Sequence, residues 1–221
     1  MDRFQENNVP AESQNNGCYF EVAAGDSPRI LFVGNSITKH GIKPDIGWYR
    51  DCGMAASSAE KDYVHILGAR IARVCPGAAI RILQVAEYER NFMQMEPAEA
   101  YADVAAFRPD IALFFFGANV DHAYDEQPSH TKSFGRAVEE LRQTLDRGDT
   151  RFVIAQGFYV RPVLDAEKEA VAAKHGDIFV RLEDIRSRED THGDFNHPND
   201  AGMLAIANRF WSVIEPLLKK Q

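Results

Sequence analysis

Apolar positions along the chain follow two alternating rhythms. Short, largely apolar runs occupy residues 29–34, 79–86, 110–117, 151–156 and 177–182. Their length and their β-branched and aromatic content predict strands buried on both faces. Between them the period lengthens: residues 59–75 carry Tyr63, Ile66, Leu67, Ile71 and Val74 at helical spacing and stop at Pro76-Gly77. Residues 97–107 predict a short helix ended by the Arg108-Pro109 step. Further helices are expected over 131–147, 163–175 and 199–219, the last kinked or divided near Pro216. Repeated strand–helix units of this kind predict one doubly wound α/β domain over 27–221, with helices on both faces of a five-stranded parallel sheet. Residues 1–26 form an N-terminal arm in which Tyr19-Phe20-Glu21-Val22 reads as an edge strand or a contact to a neighbouring subunit.

Open α/β sheets gather ligands at the carboxyl ends of their strands, and the polar groups there are suggestive. Gly34 closes the first run and allows a tight exit, and Ser36 follows it. Asn119 follows the third run, and Asp194 and His197 lie between the fifth run and the last helix. Serine is a weak nucleophile near neutral pH and needs a base. His197 offers an imidazole that can take and return the proton. Asp194, three residues back, can hold the other ring nitrogen. Asn119 offers an amide donor for a developing oxyanion. Alone, Ser36 would read as a helix cap and Asn119 as a left-handed turn residue; their combination points to a serine hydrolase. His192 is an alternative base, and Asp190 and Asp200 are alternative partners. The i, i+3 spacing and the Pro198-Asn199-Asp200 continuation favour Asp194 and His197.

With these residues the chain resembles the SGNH hydrolases, also called the GDSL family. Their four blocks correspond to Gly34-Asn35-Ser36-Ile37-Thr38, Cys52-Gly53-Met54-Ala55-Ala56-Ser57, Gly117-Ala118-Asn119 and Asp194-Phe195-Asn196-His197-Pro198. The resemblance runs from Arg29 almost to the end of the chain. It implies a three-layer α/β/α, flavodoxin-like sandwich and a cofactor-free, metal-free acyl-enzyme mechanism. Ser36 would be the nucleophile, His197 the base and Asp194 its orienter. The backbone N–H groups of Ser36 and Gly53 and the Asn119 amide would form the oxyanion hole. Gly41 and Gly47 lie in the same loop as Gly53, but the Gly-Met-Ala-Ala-Ser run is similar to esterases acting on acylated carbohydrates and favours Gly53. Val120 separates Asn119 from Asp121, so Asp121 receives no catalytic role. The literal Gly25-Asp26-Ser27 triplet precedes the first strand, at the wrong end of the sheet, and reads as a turn.

Composition narrows the partners. The net charge of −8 offers no basic stripe for nucleic acid or an anionic membrane surface. Residues 1–16 are polar, unlike a signal peptide, and Cys18, Cys52 and Cys75 form no CxxC pair. A cytoplasmic protein with reduced thiols is expected, with a processed secreted form as the alternative and a homodimer as one option. Asn35, Trp48, Arg90 and Asn91 are candidate substrate contacts, beside Tyr49, Glu87 and Glu89. Lys39 and His40 are expected on an exposed polar face and Trp211 in the core. The loop 121–130 carries two histidines without the spacing of a metal site. The reaction expected is hydrolysis of a small acyl ester, acetyl first, on a small molecule or carbohydrate. The alternatives are a lysophospholipase or thioesterase with the same triad, and a non-catalytic binding domain on this fold.

Overall fold

Strand β2 (Arg29–Gly34) is buried from Ile30 onward, as its unbroken apolar run requires, and it forms the middle of the sheet. The computed structural model describes residues 19–128 and 131–219. Around β2 the sheet runs β1-β3-β2-β4-β5-β6. Strands β3 (Ala79–Gln84), β4 (Ile111–Phe115), β5 (Arg151–Ala155) and β6 (Ile178–Val180) join it in parallel register. Strand β1 (Tyr19–Ala23) closes one edge, antiparallel to β3. The five parallel strands are those expected. The antiparallel edge makes the sheet six-stranded and mixed, because the end of the N-terminal arm supplies β1. Its pairing is reinforced by Arg81, which donates to the Tyr19 hydroxyl at 2.9 Å and lies over the Tyr19 ring. Residues 1–18 of the arm, Cys18 among them, and His130 lie outside the described residues.

Successive strand residues face opposite layers. Ile30 and Phe32 enter one core with Ile80, Leu113 and Val153, roofed by α1 (Tyr63–Val74) and α9 (Asp200–Leu218). Leu31 and Val33 enter the other with Phe114, Phe152 and Ile154, roofed by α6 (Phe134–Leu145) and α7 (Pro162–His175). Short helices α2 (Ala86–Asn91), α3 (Pro97–Ala100), α4 (Ala102–Ala105), α5 (Ala123–Glu126) and α8 (Glu183–Arg186) fill the connections. Trp211 packs partly buried against the first core, as expected. Among the described residues, no helix is long and apolar enough to cross a membrane.

Three expected elements change shape for local reasons. The strand expected over 79–86 stops at Gln84, whose Oε1 accepts the Ala86 N–H at 2.9 Å and turns the chain into α2. The helix expected over 97–107 breaks at Tyr101, which leaves helical geometry and packs its ring against Tyr88. The helix expected from residue 59 begins only after Asp62, its N-cap. Residues 200–218 stay one helix through Pro216, which falls in the last turn.

Asp62 matters beyond the cap. It is fully buried and accepts the N–H of His65 at 2.8 Å, the Gly53 N–H at 2.9 Å and the His65 imidazole at 2.8 Å. It thus ties the long loop after β2 to α1. A lost cap costs about 0.5–2 kcal/mol and an orphaned buried donor about 1–3, so Asp62→Ala should remove about 2–4 kcal/mol in urea unfolding. A loss below about 0.5 kcal/mol would contradict this account of the loop.

Candidate active site

The end of β2 turns sharply. The Thr38 and Lys39 N–H groups both donate to the Asn35 carbonyl, at 2.9 and 3.0 Å, and Asn35 Oδ1 accepts the Ile37 N–H at 3.1 Å. This turn holds Ser36 at the carboxyl edge of the sheet. Across 161 residues of sequence, Ser36 Oγ meets His197 Nε2 at 2.7 Å, and both residues are completely buried.

His197 hangs on the loop leading into α9. Its carbonyl accepts the Gly193 N–H at 2.7 Å and its own N–H donates to the Asp194 carbonyl at 3.0 Å. Asn199 locks the loop by accepting the Gly202 N–H and donating to the His192 carbonyl, each at 3.0 Å. Inside it Phe195 and Asn196 both adopt left-handed φ values of 57°, a geometry that costs a bulky residue energy. That backbone turns the Phe195 carbonyl onto His197 Nδ1 at 2.9 Å, and the Tyr159 hydroxyl lies at the same distance. A carbonyl can only accept, so Nδ1 carries the ring proton. Nε2 is then the acceptor for the Ser36 hydroxyl.

Asp194, expected at this position, is exposed, and its carboxylate makes no hydrogen bond or ion pair with His197 among the described residues. The same left-handed turn that brings the Phe195 carbonyl inward sends the Asp194 side chain outward. The Gly53 N–H likewise points to Asp62 rather than to Ser36. By contrast, no acceptor meets the Ser36 N–H among the described residues.

Asn119 is linked to the turn that carries Ser36 through a third residue. Its Nδ2 donates to Glu89, which also accepts the Gly117 N–H and, at 2.9 Å, Asn35 Nδ2. The end of β4 and the turn carrying Ser36 are therefore joined through one buried carboxylate. Arg90 reaches a cleft of about 210 Å³ lined also by Phe92, Val120, Asp121 and Tyr124. Asn91 is exposed and donates to the Glu87 carbonyl at 3.1 Å. Trp48 is only 2% exposed, with its Nε1–H donated to the His40 carbonyl at 3.3 Å, so its ring belongs to the core rather than to a surface wall. Asn35 is equally buried, its amide spent on Glu89 and Ile37.

Lys39 and His40 are buried, against expectation. Lys39 Nζ pairs with Asp51 at 2.6 Å, and His40 Nδ1–H donates to the Gly41 carbonyl at 2.7 Å. Cys52 is no rival nucleophile, since burial pushes its thiol up to about 12. No cluster of three or more His, Cys, Asp or Glu arranged for a metal ion occurs among the described residues.

Tyr159 has no counterpart in the sequence reading, although it follows β5 at the same sheet edge as Asn119 follows β4. Arg186 fixes its loop, donating to the Gly157 and Tyr159 carbonyls at 2.9 and 3.1 Å and to Asp165 at 2.7 Å. Burial keeps the Tyr159 phenol protonated well beyond its usual range.

Burial also pulls the His197 imidazole down from 6.5 to about 4, helped by the nearby His40 and opposed by the Phe195 carbonyl. Between those values the unfolded chain binds a proton that the folded one refuses. Stability therefore rises with pH from about 4 to 6.5 on this account. In a ring-carbon NMR titration, His197 should show a midpoint near 4, assigned by its loss in His197→Gln. A midpoint near 6.5 would mean that water reaches the ring.

No family model matches the chain, and no curated protein matches it by sequence. Solved structures do. A catalytic mutant of Axe2, an acetylxylan esterase from Geobacillus stearothermophilus, aligns with a TM-score of 0.57 at 17% identity, over 86% of this chain and 94% of that one. A two-domain esterase active on acetylated mannans aligns at 0.56 and 20% identity over 89% of this chain, which spans only 49% of that one. A G-D-S-L family protein from Desulfitobacterium hafniense DCB-2 aligns at 0.55 and 16% identity, over 85% and 99% of the two chains. The strand order, the parallel core and these alignments establish that the chain has the SGNH hydrolase fold.

Proposed function

We propose that this protein is an SGNH-type serine esterase that cleaves a small acyl ester, acetyl in the first instance, from a carbohydrate or other small hydroxyl compound. The observation that carries the reading is the 2.7 Å contact between Ser36 Oγ and His197 Nε2 at the carboxyl edge of the sheet. A buried hydroxyl against an imidazole whose other nitrogen is pinned is the arrangement nucleophilic acyl transfer needs. In the first half-reaction Ser36 Oγ bonds to the ester carbonyl carbon while its proton passes to Nε2. The tetrahedral oxyanion is met by the Ser36 N–H and the Asn119 amide. Collapse expels the alcohol, which takes the proton from Nε2, and leaves Ser36 acylated. Water then repeats the sequence and releases the acid.

His197 Nδ1–H stays on its ring throughout, held by the Phe195 carbonyl beside the Tyr159 hydroxyl. Fixing the tautomer is the main service of a triad carboxylate, and here backbone and phenol provide it. The acetyl preference draws on the acetyl-polysaccharide esterases among the structural neighbours.

Hydrolysis of p-nitrophenyl acetate and p-nitrophenyl octanoate should be compared in wild type and Ser36→Ala. Acetate turnover that vanishes in the variant is expected. Preference for octanoate would move the substrate to lipids or thioesters, and no Ser36-dependent turnover on any ester would leave a binding role. A separate comparison concerns the histidine's partner. Loss of a triad carboxylate can cost about 10⁴ in kcat, whereas Asp194→Asn here should cost less than about tenfold; a loss near 10⁴ would place Asp194 on Nδ1 during turnover.

A further inference from the structure

Glu89 is a fully buried carboxylate that the reaction above does not use. Three N–H donors converge on it. Asn35 Nδ2 reaches Oε1 at 2.9 Å, the Gly117 N–H shares that oxygen, and Asn119 Nδ2 takes Oε2. Two of these donors flank the β4 exit and the third immediately precedes Ser36. Burial raises the Glu89 carboxyl above its ordinary range, and the three donors oppose this by favouring the ionised form. A glutamine in its place would turn an NH₂ group toward one of the donors and leave both unsatisfied. Isolation of a charge at this depth is costly, which argues that the site requires an acceptor of this kind.

The torsion that orients an asparagine amide is broad and weakly held by itself. Once one Nδ2 hydrogen is given to Glu89 Oε2, the amide plane is fixed and the second hydrogen must point away from Glu89. We propose that Glu89 is a positioning residue that sets the plane of the Asn119 amide and presents its second hydrogen to the oxyanion formed on Ser36, an inference that rests on the esterase reading. The shared hydrogen bond to Asn35 keeps that donor in register with the nucleophile, because both ends of the oxyanion site lean on one side chain. The same carboxylate would repel an oxyanion if it faced it directly. Interposing the Asn119 amide converts an adverse charge into an oriented dipole.

The test is a double-mutant cycle in the full chain with Glu89→Gln, Asn119→Ala and the double variant, read on p-nitrophenyl acetate. Removal of one oxyanion donor typically costs about 10²–10³ in kcat. Glu89→Gln should therefore lower kcat by about 10- to 100-fold with KM changed by less than about threefold, and should add almost nothing in the Asn119→Ala background. If the two losses multiply, or if Glu89→Gln leaves kcat unchanged while wild type is active through Ser36, the inference fails alone. If wild type shows no Ser36-dependent turnover, the esterase reading fails and takes the inference with it. Should Glu89→Gln not fold, the wild-type side-chain amide of Asn119 decides, assigned by its loss in Asn119→Ala. One Nδ2 proton, the one given to Glu89, should be displaced downfield and exchange more slowly than the other. Two equivalent, freely exchanging protons would overturn the proposal.

Discussion

The site depends on how closely the chain passes itself at the end of β2. A Cβ placed on Gly34 would lie 1.8 Å from Thr38 Oγ1 and 3.1 Å from the Phe115 carbonyl. No side chain fits there, so the strand can fold back only at a glycine. That reversal lifts Ser36 out of the sheet while keeping it at the sheet's carboxyl edge. Thr38, whose hydroxyl makes the close approach, is bound in turn to the Tyr63 hydroxyl at 2.7 Å. The nucleophile's turn is thereby fastened to α1 and through it to the first core.

Everything else at the site arrives at that edge from elsewhere in the chain. β4 brings Asn119, β5 brings Tyr159 and the loop before α9 brings His197. A parallel sheet makes this convergence unavoidable, because all its carboxyl ends lie together. The helix α9 that delivers His197 is locked by contacts of its own. Asp200 accepts from the Ser57 N–H and hydroxyl at 2.7 Å and from Lys61 Nζ at 2.9 Å. These bonds close the loop after β2 against the start of α9. A Cβ on Gly202 would meet the Thr191 carbonyl at 2.3 Å, so the first turn of α9 lies directly on the histidine loop.

Burial sets the electrostatics. Ser36, His197 and Glu89 are all removed from water, and in such surroundings each hydrogen bond is stronger and each unpaired group more costly. Their polar atoms are accordingly matched to one another. A neutral imidazole tolerates this better than an imidazolium, which is why the ring sits in its base form over most of the pH range. The arrangement exchanges the reach of a charged orienting partner for a fixed carbonyl and a phenol that burial keeps neutral.

The apolar runs by themselves determined the five parallel strands, because strands buried on two faces leave no polar positions to confuse the pattern. The same runs located Ser36 and Asn119 at strand ends, and the loop before the last helix supplied His197. Tertiary structure alone decided what those residues touch. Whether Asp194 or the Phe195 carbonyl meets Nδ1 turns on two left-handed residues that have no periodic signature. Gly53 looked like an oxyanion donor in one dimension, but in three its N–H belongs to Asp62. Trp48 and Asn35 looked like surface contacts until packing enclosed them. Glu89 stood only as one of several charges past a strand, since its three donors come from residues 35, 117 and 119. Periodicity records which side of an element faces water. It carries no record of which distant donor and acceptor will share the dry space behind it.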